Sequence, residues 1–504
     1  MREPPLKQPR LSESGQEPGQ SLKVGIVGGG LGGLGVALCL QRIGADCVVY
    51  ERDDFFADRK QGYGLTLTNN KKGGLAKLGL LEECIRRDCA SRCHWIFSPE
   101  GSILGYFGRA FSSSSSTNAE IDDSNESEMR GNLRVPRQDL RQLLIDKLAP
   151  GTIEWGRRLS DYREDDAGVL LDWSDGSTTG PFDVVVGADG IRSRVRELRD
   201  LRLNVKGSKL LYVGVAVILG ISSAQHPLIR KQGFYVLDGQ HRLFTMPFRD
   251  GGKVGTVSPS SSSSPPCSYE TMWQLSFSGL SEEEAAQLRS LSPRQLLDAA
   301  LKRTTGWFAP VEALVRHTAE AAVWATGLFD RDPLVVSKQP HHSSRVTVLG
   351  DAAHPMSMFK GQGCNQALED GPLLAYWLCG GPSAAQAKGA KGRDKHFAAL
   401  EGNESSRGMG CQRPPRATLL TRLRCFEREM VARAGPKVLA SRAAAHSLHD
   451  PAVMRQWHGL AGCSESEGPA VLARLREEGV SAHDAEALAG RVGQVLSAPA
   501  AQTL

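Results

Sequence analysis

The sequence feature that most constrains the fold is a glycine-rich turn between a predicted strand and a predicted helix. Residues 22–51 contain an apolar strand (LKVGIV), the turn GGGLGG, an amphipathic helix to about Arg42 and a second strand (CVVYE). Gly28, Gly30 and Gly33 supply the spacing G-x-G-x-x-G. The first glycine permits a tight turn, the second lets a pyrophosphate approach the backbone, and the third lets helix and strand pack closely. The pattern predicts an α/β, Rossmann-like domain that binds a dinucleotide.

An acidic residue at the end of the second strand narrows the choice of dinucleotide. Glu51 follows Gly28 by 23 residues, where a carboxylate can accept both hydroxyls of a ribose. An acid at this place repels a 2′-phosphate, so it favours an adenosine cofactor without one. Arg52 follows directly and is predicted to lie at the same cofactor. The motif alone does not separate FAD from NAD.

Two further strand–turn–helix patterns bear on that choice. In DVVVGADGIRSRVR an apolar strand is followed by Asp189, which either caps the next helix or binds a cofactor. In RVTVLGDAAHPMSMFKGQGCNQALED a strand is followed by Asp351, and Gly361 and Gly363 precede a new helix. The second pattern offers a carboxylate for a sugar-like hydroxyl and backbone N–H groups for a phosphate or an electron-rich ring.

Taken in this order, the three sites resemble those of the FAD-dependent aromatic-ring monooxygenases, the single-component flavoprotein hydroxylases. The resemblance extends over most of residues 22–380, and FEREM near Glu427 is similar to the family's C-terminal helix. It implies one set of FAD-binding residues, drawn from all three sites and from the segment LRVPRQDLRQLL: Gly28, Gly30, Gly33, Glu51, Arg52, Arg137, Asp189, Asp351, Gly361, Gly363 and Asn365.

The resemblance also implies roles within this set. Asp351 would bind the ribityl chain, and residues 361–365 would flank the pyrophosphate and the isoalloxazine. Arg137 matches the family's Arg-x-x-Leu helix and would reach FAD, with a solvent-exposed arginine as the alternative. Asp189 and Arg196 match an Asp-Gly turn thought to serve FAD and the nicotinamide cofactor together.

The implied activity is that of a monooxygenase. NAD(P)H would reduce the flavin, dioxygen would form a flavin hydroperoxide, and one oxygen atom would pass to an aromatic or other electron-rich small molecule. No catalytic side chain is identified, because in this chemistry the protein positions the reactants, excludes water from the site and stabilises charge. Five residues are candidate walls of the substrate pocket by position, although ordinary core packing is the favoured interpretation because aromatic side chains are mostly buried: Phe234, Tyr235, Phe244, Met246 and Phe248.

The sequence departs from the family pattern beside the expected flavin. Met358 stands where the family usually has proline, three residues before the glycine pair. Cys364 is interpreted as a small buried thiol rather than a nucleophile, and His354 as structural rather than a general base.

Other activities remain open at this point. A halogenase is disfavoured, because none of the 8 tryptophans has another tryptophan two positions away, as the W-x-W-x-I-P motif of halogenases requires. A reductase or dehydrogenase that uses FAD, a non-catalytic flavin-binding protein and a plain NAD dehydrogenase are the alternatives.

Hydrophobic patterning and composition divide the chain into six segments. Serine-rich insertions are expected at 112–130 and 259–266. Capping patterns predict that two helices begin at Ser281 and Ser292. The six segments are a disordered leader (1–21), the first part of the FAD-binding domain (22–200), an inserted antiparallel-sheet substrate domain (201–329), the second part of the FAD-binding domain (330–380), a low-complexity insertion (381–416) and a helical C-terminal region (417–504).

Composition excludes several classes of protein. The net charge of +5 is low for a nucleic-acid-binding protein, and no long basic run with interleaved aromatics is present. The longest apolar run, Leu210 to Ile221, has twelve residues, fewer than the ~18 that a membrane-spanning helix needs. The 11 cysteines include no CxxC pair, so we expect reduced thiols, no metal site and a cytoplasmic location.

Overall fold

The computed structural model describes residues 20–58, 62–91, 93–108, 131–204, 209–250, 269–333, 344–379 and 411–454. The predicted serine-rich insertions, nearly all of the predicted leader, most of the low-complexity insertion and the C-terminal region after residue 454 lie outside these residues.

The described chain contains seventeen strands and ten α-helices. The strands are β1 (Lys23–Val27), β2 (Asp46–Tyr50), β3 (Gly64–Thr68), β4 (Cys93–Phe97), β5 (Ile103–Gly108), β6 (Asn132–Pro136), β7 (Ile153–Glu154), β8 (Leu159–Glu164), β9 (Val169–Trp173), β10 (Thr178–Phe182), β11 (Val184–Gly187), β12 (Leu211–Ser222), β13 (Gly233–Leu237), β14 (His241–Arg249), β15 (Glu270–Ser278), β16 (Thr318–Asp330) and β17 (Val346–Val348). The helices are α1 (Leu31–Arg42), α2 (Gly74–Lys77), α3 (Leu81–Arg86), α4 (Arg137–Asp146), α5 (Arg194–Arg202), α6 (Glu282–Ser290), α7 (Pro293–Arg303), α8 (Val311–Arg316), α9 (Gly363–Leu378) and α10 (Arg416–Ser447).

A five-stranded parallel sheet forms the centre of the nucleotide-binding part. Its order is β17-β11-β1-β2-β7, and each neighbouring pair is parallel. The strands β1 and β11 are apolar and buried, as expected for a parallel sheet covered on both faces. The helix α1 returns the chain from β1 to β2 and packs against α9. The expected strand–turn–helix–strand unit of residues 22–51 is therefore present.

A second, seven-stranded sheet has the order β16-β12-β15-β14-β13-β4-β5. It is antiparallel except for the pair β13 and β4. Two of its strands, β4 and β5, come from residues 93–108, which the sequence analysis placed inside the first part of the FAD-binding domain. The division into domains stays a prediction, but β4 pairs with β13 and so extends the second sheet. Pairing between strands far apart in sequence leaves no local signal.

The two faces of this sheet have different neighbours. On one face, Phe234, Trp273 and Phe277 pack with residues of α6, α7 and α8, and we name it the helix-facing side. The other face contacts β3 and the turn of residues 358–360, and we name it the cleft-facing side. Both expected capping boxes are present, with Ser281 and Ser292 at the N-termini of α6 and α7.

The long helix α10 packs against α9 and against the turn of residues 358–360. Within the described ranges, no helix has the length and apolar character that crossing a membrane requires.

Candidate active site

A cleft lies at the carboxyl ends of the parallel strands, where open α/β sheets bind their ligands. Its volume is about 980 Å³, near the upper end of the ~300–1,000 Å³ typical of small-molecule sites. Residues directly after β1, β2, β11 and β17 contribute to its walls. Eight of the predicted site residues line it: Gly28, Gly30, Glu51, Arg52, Arg137, Asp189, Asp351 and Gly363.

The glycine-rich turn has the geometry that its spacing predicts. Gly28 has a φ of +114°, and a Cβ there would lie 2.4 Å from the carbonyl oxygen of Ala188. A Cβ at Gly33 would lie 2.0 Å from the carbonyl oxygen of Gly28. A Cβ at Gly30 would meet no protein atom within 4 Å. Gly33 thus permits close packing beneath the turn, and Gly30 leaves the N-terminus of α1 open to the cleft.

Glu51 is buried directly after β2, and its carboxylate accepts hydrogen bonds from the backbone of two loops. Its Oε2 accepts a hydrogen bond of 2.8 Å from the N–H of Gly29, and its Oε1 accepts one of 3.1 Å from the N–H of Asp53. Each carboxylate oxygen can accept a second hydrogen bond, and Glu51 lines the cleft. The role of Glu51 in binding the ribose stays a prediction.

Arg141 supports the same turn and was missed by the sequence analysis. Its side chain is fully buried, and its Nε donates to the carbonyl oxygen of Gly29 at 3.0 Å. Its Nη2 lies 3.8 Å from Oε2 of Glu51. The sequence signal that could have identified Arg141 is its spacing from Arg137, because residues four apart lie on the same face of a helix.

Arg137 is the first residue of α4 and lines the cleft. Its guanidinium lies 5.9 Å from the centroid of the Tyr63 ring. Its Nη1 is buried and has no hydrogen-bond partner within the described ranges. A buried N–H group of this kind is costly unless a ligand accepts its hydrogen bond.

Asp189 binds the N-terminus of the helix α5, whose N-cap residue is Ser193. Its carboxylate accepts hydrogen bonds from the hydroxyl of Ser193 at 2.5 Å and from the N–H groups of Arg194 and Val195 at 2.7 and 3.2 Å. Burial raises its pKa. Arg196 instead points to the carbonyl oxygen of Ala352, at 3.5 Å. The capping alternative is thus present in the structure, and a cofactor contact of Asp189 stays a prediction.

A buried network fixes the turn that carries Asp351. Asp370 is fully buried; its Oδ2 accepts hydrogen bonds of 2.8 Å from the N–H of Gly350 and from Nε2 of His354. Its Oδ1 accepts a hydrogen bond from Arg433 of α10. Burial alone would raise the pKa of Asp370, but His354 and Arg433 outweigh it and hold that pKa below its ordinary value. His354 therefore has a structural partner, as the sequence analysis favoured.

The loop before α9 is tied to β3 by Asn365. Its amide donates to the carbonyl oxygens of Thr66 and Gly361 at 2.9 and 2.8 Å, and its Oδ1 accepts from the N–H of Thr68 at 2.9 Å. Gly361 and Asn365 lie behind Gly363 and outside the cleft wall, so these bonds position the N-terminus of α9. Burial raises the pKa of the neighbouring thiol of Cys364 to about 12, which leaves it un-ionised at neutral pH.

The cleft-facing side of the seven-stranded sheet adjoins this cleft. One row of paired residues runs across the sheet from Trp324, through Leu219, Gln274 and Phe244, to Tyr235. Trp324 also lines the cleft, so the row leads away from the cofactor region along the sheet.

Four of the five predicted wall residues lie on the cleft-facing side. Tyr235 and Phe244 belong to the row, and Met246 and Phe248 follow Phe244 on the same side of β14. Phe234 instead belongs to the core, which is the interpretation that the sequence favours for these five residues. Its side chain points to the helix-facing side and packs there against Phe97 and Phe308.

The residues present fit FAD. The open N-terminus of α1 suits a pyrophosphate, Arg137 has an unused buried donor, and the volume suits a dinucleotide better than a single-ring ligand. Among the described residues, no group of three or more His, Cys, Asp or Glu side chains is arranged to hold a metal ion.

Comparison with known proteins agrees with this geometry. Residues 21–277, just over half of the chain, match the model of a family described as "FAD binding domain". The chain is 30% identical over 364 residues to a 3-amino-4-hydroxybenzoate 2-monooxygenase of Streptomyces platensis, covering 71% of this chain and 79% of that protein. It is 28% identical over 377 residues to a salicylate hydroxylase of Pseudomonas putida, with coverages of 71% and 77%.

A solved structure shows the same fold. HpxO of Klebsiella pneumoniae, in complex with FAD and uric acid, superposes with a TM-score of 0.60 at 19% identity, covering 95% of this chain and 97% of that one. The two relatives named above are monooxygenases, which disfavours a reductase, a dehydrogenase and a non-catalytic flavin-binding protein. The chain belongs to the FAD-dependent aromatic-ring monooxygenases, and its cofactor is FAD.

Proposed function

We propose that this protein hydroxylates a small aromatic compound held between the FAD cleft and the cleft-facing side of the seven-stranded sheet. The observation that supports this most is the position of Trp324, which lines the cleft and begins the row of paired residues across the sheet. The relatives are named for the oxidation of an aminohydroxybenzoate and of salicylate, both single aromatic rings. In this proposal the sheet forms the substrate domain.

The proposed roles of the cleft residues follow from their positions. Gly30 and the N-terminus of α1 would hold the pyrophosphate, and Glu51 the ribose. Arg137 would donate its unused N–H group to FAD, and Asp351 would accept hydrogen bonds from the ribityl hydroxyls. FAD, once reduced by NAD(P)H, supplies the activation of dioxygen. The chain itself binds, orients and excludes water.

The test of this function is an assay of the purified, FAD-loaded protein with a panel of phenols. We expect at least one phenol to stimulate NAD(P)H oxidation with matching oxygen uptake, and to gain one oxygen atom by mass spectrometry. A protein that holds FAD yet neither oxidises NAD(P)H nor consumes oxygen with any ring would contradict the proposal and favour a non-catalytic flavin-binding protein.

Replacement of Asp351 tests the proposed ribityl contact. We expect Asp351→Ala to weaken FAD binding by roughly 10- to 100-fold, because hydrogen bonds to a charged group contribute about 1.5–3 kcal/mol. The flavin-to-protein absorbance ratio after purification and an FAD titration measure this. Asp172→Ala, on the separate sheet of β8, β9 and β10, is the matched control and should leave FAD content unchanged. Equal FAD affinity of the two variants would refute the assignment.

A further inference from the structure

Two cysteines that are distant in sequence lie side by side, one before and one after the segment 380–410. Cys379 directly follows α9, and Cys411 precedes α10. Both pack in the hydrophobic core of the nucleotide-binding part. Cys411 is buried, whereas Cys379 is partly exposed, and both are free thiols. We refer to these two residues as the thiol pair.

The two thiol groups are in direct contact. A side-chain hydrogen bond joins the sulfur atoms of Cys379 and Cys411. The Sγ of Cys411 also lies 3.9 Å from the carbonyl oxygen of Leu378, the residue that precedes Cys379. A disulfide needs an S–S distance of about 2.05 Å and Cβ atoms about 3.5–4.5 Å apart. Small rotations of the two side chains would therefore bring the sulfur atoms to bonding distance.

The backbone on both sides of this contact is held by hydrogen bonds. The N–H of Cys379 donates to the carbonyl oxygen of Ala375 at 3.0 Å, in the last turn of α9. The N–H of Cys411 donates to the carbonyl oxygen of Ile43 at 2.8 Å, and its own carbonyl oxygen accepts from the N–H of Leu22 at 3.0 Å. The core of the nucleotide-binding part thus keeps the two thiols together.

A cation beside the thiol pair favours its ionisation. Nη1 of Arg422 donates to the carbonyl oxygen of Leu378 at 2.6 Å, the same oxygen that Cys411 approaches. The hydrogen bond from Cys379 and the charge of Arg422 hold the pKa of Cys411 below its ordinary value, against the effect of burial. That hydrogen bond raises the pKa of Cys379 in turn. The pair therefore holds one thiolate more readily than an isolated buried cysteine, and the thiolate is the form that reacts with oxidants.

Four other described cysteines have a different environment. Burial raises the pKa values of Cys39, Cys47, Cys84 and Cys364 to about 12. These thiols are un-ionised at neutral pH, and un-ionised thiols react slowly with oxidants. We therefore expect a limited amount of oxidant to react first at the thiol pair.

From this arrangement we propose that Cys379 and Cys411 form a reversible redox site, which hydrogen peroxide oxidises to a disulfide. Each thiol loses one proton and one electron and an S–S bond forms, while the O–O bond of the peroxide breaks and two water molecules are released. A small thiol reverses the reaction by exchange. Hydrogen peroxide is dioxygen reduced by two electrons, so oxidation of NAD(P)H by dioxygen without oxygenation of a substrate would supply it.

The disulfide would join the end of α9 to the segment that precedes α10. These two helices already share the ion pair of Asp370 and Arg433. A covalent link between them restrains the unfolded chain, so we expect the oxidised protein to melt roughly 2–6 °C above the reduced protein.

The test follows disulfide formation in the FAD-loaded, full-length protein without substrate. The protein is reduced with dithiothreitol, the reductant is removed, and hydrogen peroxide is added in small molar excess. Free thiols are then alkylated with N-ethylmaleimide, and tryptic peptides are analysed by mass spectrometry. We expect two peptides linked through Cys379 and Cys411, lighter than the two reduced peptides by two hydrogen atoms. A second reduction should abolish the link.

The position of the link requires fragment-ion spectra. Trypsin leaves Cys364 and Cys379 in one peptide, because the chain has no lysine or arginine between Lys360 and Lys388. We expect the fragments to place the link at Cys379 and the alkyl group at Cys364.

Two substitutions assign the link to the thiol pair. Cys379→Ser and Cys411→Ala should each abolish the link, leave the remaining thiol of the pair without its partner and remove the rise in melting temperature. Cys425→Ala is the matched control, because Cys425 is a buried free thiol on α10, one helical turn after Arg422. This variant should form the link to the same extent as the unaltered protein.

Three outcomes would overturn the proposal: both thiols of the pair stay open to alkylation after peroxide, the other described cysteines are oxidised first, or Cys379 reaches the sulfinic acid without a link to Cys411. If neither substituted protein folds, the linked peptides of the unaltered protein decide. Because the peroxide is added and substrate is absent, none of these outcomes depends on the proposed hydroxylation.

Discussion

Gly33→Ala is expected to abolish FAD retention and to destabilise the fold. A methyl group at this position would lie 2.0 Å from the carbonyl oxygen of Gly28, so the start of α1 must shift away from the glycine-rich turn. Overpacking of this kind costs about 1–3 kcal/mol and sometimes more. The shift also displaces the N–H groups that would face the pyrophosphate. Flavin absorbance after purification and urea unfolding measure the two effects.

Substitution of two other glycines in the same segment distinguishes the effect of overpacking on stability from the effect on FAD binding. A Cβ at Gly35 would lie 3.6 Å from Leu78, an ordinary contact, so Gly35→Ala should keep FAD and gain about 1 kcal/mol from helix propensity. Gly30→Ala should leave the apoprotein stable but weaken FAD binding, because its methyl group meets no protein atom within 4 Å and would occupy the cleft. Full flavin content in Gly33→Ala would show that the close packing is unimportant.

Asp370→Asn is expected to cost about 3–5 kcal/mol of unfolding free energy, because it leaves Arg433 and His354 without the buried negative charge that they share. The network also fixes Gly350 and hence the turn with Asp351, so FAD affinity should fall as well. Thermal unfolding and FAD titration test these effects. Glu369→Gln is the matched control, since Glu369 pairs with Lys77 at a partly exposed site and should cost about 0–1 kcal/mol.

The pH dependence of stability gives a second measure of the same network. The pKa of Asp370 is lower in the folded protein than its ordinary value. Its contribution is therefore present above the unfolded pKa, about 4, and is lost as the pH falls through the lower, folded value. Asp370→Asn should flatten the acid limb of the stability curve, whereas Glu369→Gln should not. Identical acid limbs in the two variants would argue against a charged Asp370.

Local patterns were sufficient for much of the cofactor site. The glycine spacing around Gly28 predicted the turn beneath α1, and the serines before α6 and α7 predicted both capping boxes. Such features depend on residues within a few positions of one another, so the sequence contains them directly. The resemblance to flavoprotein hydroxylases predicted the FAD cofactor and the monooxygenase activity, and the comparisons confirm both.

Other features required contacts between distant segments. The spacing of Arg141 from Arg137 was a weak local signal, and its role follows from its approach to Gly29, 112 residues earlier. Asn365 was predicted at the cofactor, whereas its amide ties β3 to the loop before α9. Arg242 left one weak signal: it alternates with Phe244 and Met246 on β14, a charge in an otherwise apolar set. Its burial and its side-chain hydrogen bond to Tyr235 follow only from the packing around it.

The amino-acid sequence by itself specifies the βαβ unit, the helix caps and the alternation of side chains between the two faces of each strand. These features depend on hydrogen bonding and side-chain periodicity over a few residues. The pairing of β4 with β13, the face that receives Phe234 and the enclosure of Arg242 by three aromatic rings are decided in three dimensions. Strand partners and buried neighbours come from parts of the chain that are far apart, and their choice depends on how the whole core packs.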